Sequence, residues 1–79
     1  MARIIDGEKK NLIGGNLKSL RIKRGLSQQD ISNRLELLGV YVCRGSVSRI
    51  EDYSRTVTDI ELSAIAKVLK VSVDELIKK

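Results

Sequence analysis

An all-α domain of five helices is what this 79-residue chain predicts, and three observations predict it. Apolar residues recur three and four apart through most of the chain, the period of a helix with one buried face. Three segments, Ser27-Gln28-Gln29-Asp30, Thr58-Asp59-Ile60-Glu61 and Ser72-Val73-Asp74-Glu75, place a carboxylate three residues after a hydroxyl, the pattern of a capped helix start. The apolar runs that read as extended, Ile4-Ile5 and Val40-Tyr41-Val42, are each too short to make a sheet.

Taken in order, the first helix carries Leu17, Leu20 and Arg24 on one side and ends at Gly25, a residue able to take the left-handed C′ conformation. Its start has two candidates. Asn11 caps a helix beginning at Leu12, although Gly14-Gly15 then costs about 1 kcal/mol per glycine relative to alanine; the other candidate cap is Asn16. The second helix starts at the Ser27 cap, aligns Ile31, Leu35 and Leu38, and stops at Gly39. A linking segment, Val40 to Cys43, leads to a short polar third helix over Arg44 to Asp52, with Val47 and Ile50 facing inward and Arg44, Ser48 and Arg49 facing out. The fourth helix buries Leu62, Ile65, Ala66 and Leu69, and the fifth buries Leu76.

Composition limits the chemistry. With 42% hydrophobic and 32% charged residues the chain forms one core. It contains no His and a single Cys, Cys43, which removes Ser/His/Asp and Cys/His catalysis, His-based metal sites, four-cysteine zinc clusters and internal disulfides. No catalytic residue, metal or cofactor is expected, and the chain is read as a binding module, not an enzyme. No apolar run approaches a membrane span or a signal-peptide core, so no membrane role and a cytoplasmic location are expected. Fifteen Lys and Arg against ten Asp and Glu give a net charge of +5, which favours a polyanionic partner. That excess sits within residues 1–24.

Four segments together resemble a known family, the phage-repressor and Cro-like helix-turn-helix DNA-binding proteins, or XRE family. They are Asn16 to Arg21, Gly25-Leu26-Ser27-Gln28-Gln29, Ser46-Val47-Ser48-Arg49-Ile50-Glu51 and Leu62 to Val71. The resemblance covers residues 12–77 and implies a compact five-helix repressor-like domain over 12–79, preceded by an N-terminal arm, 1–11. Helices 2 and 3 would form the helix-turn-helix.

A recognition helix has to enter a major groove about 12 Å wide, with short residues near the groove floor and long donors for base edges. Arg44, Gly45, Ser48 and Arg49 meet that demand, and the resemblance places the family's base-contacting positions on the same residues. Gln28, beside the Ser27 cap, and the loop residues Ser54, Arg55 and Thr56 are the expected phosphate contacts. Tyr53 is open between a phosphate donor and a ring over the core. Arg21 and Glu51 match family positions that form a structural ion pair between the first and third helices. Cys43 falls at the N-cap of the third helix, where it is read as a half-buried filler, with a redox switch as the other reading.

One departure from the family is visible. Ser27 to Glu51 spans about four residues more than the usual spacing, which extends the turn between helices 2 and 3. The reading is that helix 2 runs a turn longer, through Leu38, with Val40 and Val42 on the core; the other is a bulged loop carrying Tyr41 to DNA or a neighbouring subunit. In the arm, Arg3, Lys9 and Lys10 suit minor-groove or phosphate contact, or a disordered or swapped terminus.

These features together imply a sequence-specific transcriptional regulator that binds a double-stranded DNA operator as a homodimer, with helix 5 at Ile77 or the Ile4-Ile5 segment as candidate dimer surfaces. Two alternatives keep the fold: an antitoxin-type module with a toxin or other protein partner and autoregulatory DNA binding, and a non-specific nucleic-acid binder.

Overall fold

Residues 9–78 are described by a computed structural model. They form five helices, α1 (Gly14–Lys23), α2 (Gln28–Leu37), α3 (Arg44–Glu51), α4 (Asp59–Leu69) and α5 (Val73–Ile77), with no strand among the described residues. Arg3 and the Ile4-Ile5 segment lie outside the described residues.

The helix α1 begins at Gly14 and not at Leu12, with Ile13 and not Asn11 at its N-cap, and Asn11 holds this start from two residues before the cap. Its side-chain oxygen accepts from the N–H groups of Ile13 (3.0 Å) and Gly14 (2.9 Å), and its amide donates to the carbonyls of Ile50 (3.1 Å) and Arg55 (2.8 Å). A single buried side chain thus ties the entry of the first helix to the end of the third. Asn16 is not a cap; it lies inside α1 and donates to the carbonyl of Leu76 at 2.7 Å, holding the C-terminal helix.

The two glycines inside α1 have a packing reason. A Cβ at Gly14 would lie 2.9 Å from the Glu51 carbonyl oxygen and closer still to that of Ile50. At Gly15 it would meet the Tyr53 hydroxyl. Both neighbours lie far away in sequence, which is why local propensity alone misreads the segment.

The other starts follow the sequence pattern. Ser27 with Asp30, Thr58 with Glu61 and Ser72 with Glu75 each form a complete capping box. Four of the helices end alike, with two backbone bonds closing over a residue of positive φ. Gly25 and Gly39 fill that position after α1 and α2, Tyr53 (φ 67) after α3 and Lys70 (φ 58) after α4. After α2 the bonds run from Gly39 N to the Glu36 oxygen (2.9 Å) and from Val40 N to the Leu35 oxygen (3.0 Å).

That closure decides the fate of the long connection. α2 runs to Leu37, Val42 is buried, Val40 packs on the core, and Tyr41 is exposed. Leu38 does not join the face of Ile31 and Leu35: the chain turns at Gly39, taking Leu38 out of helical register and leaving it 49% exposed. The core comprises Leu17, Ile31, Leu35, Val47, Ile50, Ile65, Leu69 and Leu76, all essentially inaccessible to solvent, with Ile13, Val42, Ala64 and Ala66 beside them. α2 packs on α3 and α4, α1 on α3 and α5, and α4 on α5.

Candidate nucleic-acid interface

Along α3 the side chains divide by position. Val47, Ile50 and Glu51 are buried, whereas Arg44, Gly45 and Arg49 are exposed and Ser48 is half-buried. The Arg49 guanidinium donates to the Ser46 hydroxyl at 3.3 Å. It passes over Gly45, where an added Cβ would make ordinary contact at 3.7 Å. Gly45 is therefore not required by packing, and its bare backbone opens the outer surface of the helix.

Beneath this surface lies a buried charge network. Arg21 donates to Glu51 through Nε (2.6 Å) and Nη2 (3.1 Å), and its Nη1 donates to the Leu26 carbonyl at 2.9 Å. The two side chains are 13% and 4% exposed. The Gln28 amide donates to Glu51 Oε1 at 3.0 Å. Glu51 thus joins α1, α2 and α3 at one point, and Gln28 keeps one amide hydrogen and its carbonyl oxygen for another partner.

The loop after α3 is tightly bonded. Ser54 Oγ lies 2.5 Å from Asp52 Oδ1 and 3.3 Å from the Arg49 carbonyl oxygen, which engages its one hydrogen. Arg55 forks onto Glu61 through Nη1 (3.0 Å) and Nη2 (2.9 Å), and Nη1 also donates to the Thr56 carbonyl at 3.0 Å. That leaves Nε–H and one Nη2 hydrogen. Arg55 beside Glu61 holds the glutamate carboxyl below its ordinary value. Thr56 is exposed. Glu61, the partner of Arg55, stands six residues on and doubles as the capping carboxylate of Thr58, a pairing that helical spacing does not reveal.

Tyr53 combines structural contacts. Its hydroxyl accepts from Gly15 N–H at 2.8 Å, its carbonyl accepts from Lys10 N–H at 2.9 Å, and Lys9 Nζ lies 4.7 Å from its ring centroid. Cys43 occupies the N-cap of α3 without bonding the backbone through sulfur. It is exposed, not half-buried, because Val42 takes the inward position next to it. The Ser46 hydroxyl, 3.5 Å from Sγ, holds the thiol below its ordinary pKa.

Between α1, the start of α2 and α3 lies an open notch of about 560 Å³. Lys18 stands on its α1 wall, Ser27, Gln28 and Gln29 on its α2 wall, and Arg44 and Ser48 on its α3 wall; Arg21 and Glu51 also line it. In the sequence, Lys18 is marked only by its position three residues before Arg21, on the same helical face. Among the described residues the ion pairs are Arg21–Glu51 and Arg55–Glu61, so Arg44, Arg49 and Lys18 take part in none. No group of three or more His, Cys, Asp or Glu side chains among them is placed to hold a metal ion, and no described helix is long and apolar enough to cross a membrane.

A five-helix fold with a capped α2 leading into an α3 of polar outer surface defines a helix-turn-helix DNA-binding domain. Residues 17–76 match the helix-turn-helix family, of the repressor and Cro type, and the chain belongs to it. Its structure is similar to the crystal structure of the DNA-binding domain of BldD, with a TM-score of 0.72 and 26% sequence identity over 92% of this chain and 99% of that one. Comparison with curated protein sequences gives no match.

Proposed function

We propose that the chain is a transcriptional regulator that binds a double-stranded DNA operator sequence-specifically, with α3 in the major groove. The observation that carries this reading is how the arginines are used. Arg21 and Arg55 are forked onto glutamates, whereas Arg44 and Arg49 project from the outer surface of α3 outside any ion pair among the described residues. A guanidinium so placed can donate two bonds to guanine O6 and N7, and Ser48 beside it reaches other acceptors. Gly45 lets the helix backbone approach the groove floor. Gln28 bonds a phosphate with the amide hydrogen that Glu51 leaves to it, and Thr56 and Arg55 track the backbone from the loop, Arg55 with its two remaining hydrogens. Ser54 adds no donor, because Asp52 engages its hydroxyl.

An α3 of eight residues spans only a few base pairs. Two copies on half-sites about one helical turn apart would multiply affinity and specificity, so the functional unit in this reading is a homodimer on a two-fold related operator.

Selection of preferred duplexes from a random pool, repeated at two salt concentrations, tests the reading. A defined site should emerge at both. Arg49→Ala should then weaken the selected site by about 1 to 3 kcal/mol and relax base preference at one position. Unchanged binding of that variant to the selected site would remove α3 as the reading element. Recovery of no preferred sequence, with affinity set by salt alone, would leave a non-specific binder.

A further inference from the structure

Resting on the DNA-binding reading above, we propose that Lys18 of α1 is a further phosphate contact, which holds the DNA backbone at the notch between α1 and the helix-turn-helix. Lys18 and Arg21 are three residues apart and share a helical face, yet they are used differently. Arg21 directs Nε and Nη2 to Glu51 and Nη1 to Leu26, and so belongs to the fold. Lys18 is exposed on the rim of the same notch, opposite Arg44 and Ser48 and beside Ser27 and Gln28.

The carboxylates lining the notch do not claim this lysine. Glu51 is held by Arg21 and Gln28, Asp52 accepts from the Ser54 hydroxyl and N–H, and neither lies within ion-pair distance of Lys18. In the proposed docking, with α3 in the groove and Gln28 on a phosphate, the adjoining backbone passes the notch that α1, the start of α2 and α3 enclose. An ammonium on a flexible four-carbon stem suits a phosphate there: it is a point charge with three rotatable donors and needs no fixed fork geometry. The contact would strengthen binding to every sequence alike, since phosphates carry no base identity.

The test measures binding of the full chain to a selected duplex and to an unrelated duplex over a series of salt concentrations. Wild type is compared with Lys18→Gln, Lys18→Arg, Arg49→Ala and Lys67→Gln, the last an exposed lysine of α4 that does not line the notch. Lys18→Gln should lower the slope of log K against log salt by about one and weaken both duplexes by about three- to tenfold at moderate salt. Lys18→Arg should keep the slope, and Lys67→Gln should leave it unchanged. An unaltered slope in Lys18→Gln overturns the inference, as does a fall no larger than that of Lys67→Gln, which would reduce Lys18 to bulk charge. Loss of affinity in Arg49→Ala with none in Lys18→Gln removes this contact alone. Absence of binding by the wild type removes the underlying reading with it.

Discussion

Where α1 meets α3, the contact is made by backbone and by buried polar groups. Gly14 lies against the carbonyls of Ile50 and Glu51, Asn11 bonds to both helices, and Arg21 closes onto Glu51. Where α2 leads into α3, the chain instead turns through Gly39 to Cys43, with only Val40 and Val42 directed to the core. Leu37, Leu38 and Tyr41 remain in solvent there, at 85%, 49% and 78% exposure. α3 is therefore held by packing against α1 and α2 together, and not by the connection that leads into it. The connection from α2 can carry extra residues because little of the fold passes through it.

The sharpest way to break this contrast is Gly14→Ala. Helix propensity alone would favour alanine by about 1 kcal/mol, but the added methyl meets two main-chain oxygens that cannot move aside as a side chain can. We expect a loss of about 3 kcal/mol, with Gly15→Ala milder because its obstacle is the tip of Tyr53. Urea denaturation of the two variants decides the matter; equal stability for Gly14→Ala and wild type would show that the two helices are not in register through backbone contact.

Next in size is Glu51→Gln, which leaves Arg21 half-buried beside a neutral group. A loss of about 3 kcal/mol at most is expected, near the lower end for breaking a buried pair, since Arg21 keeps its bond to the Leu26 carbonyl. The double variant Arg21→Met/Glu51→Leu should recover part of it. Thermal melts of the singles and the double measure the coupling, and strict additivity would argue against an interaction.

The smallest effect belongs to the solvent-facing end of α2 that leads into the connection. Leu37→Gln should change stability by no more than about 0.5 kcal/mol. A larger loss in the same urea series would mean that the exposed approach to the connection, and not only the packed helix faces, contributes to holding α3.

What the sequence made legible was local in origin. The capping boxes at Ser27, Thr58 and Ser72 are contained within four residues each, and the inward positions Val47, Ile50, Ile65 and Leu69 follow from helical period. The start of α1 was harder, because the reasons for Asn11 and Gly14 lie near Ile50 and Arg55, about 40 residues further along. Leu38 fitted the period of α2 but lies beyond its end, a distinction that depends on the positive φ at Gly39. At the site, the outward residues of α3 could be read from spacing. The use of Gln28 by Glu51 and of Arg55 by Glu61 could not, since hydrogen-bond partners across a fold leave no periodic trace.

One consequence follows from the close approach at Gly14. Main-chain atoms meet there and the inward side chains of α3 fill the core, whereas Arg44, Gly45 and Arg49 are exposed and Ser48 is half-buried. In the proposed reading, those positions form an exchangeable alphabet on a fixed frame. If α3 reads DNA as proposed, replacing the exposed ones should alter which sequence is preferred while leaving folding intact, and the domain would take new targets without first being made more robust.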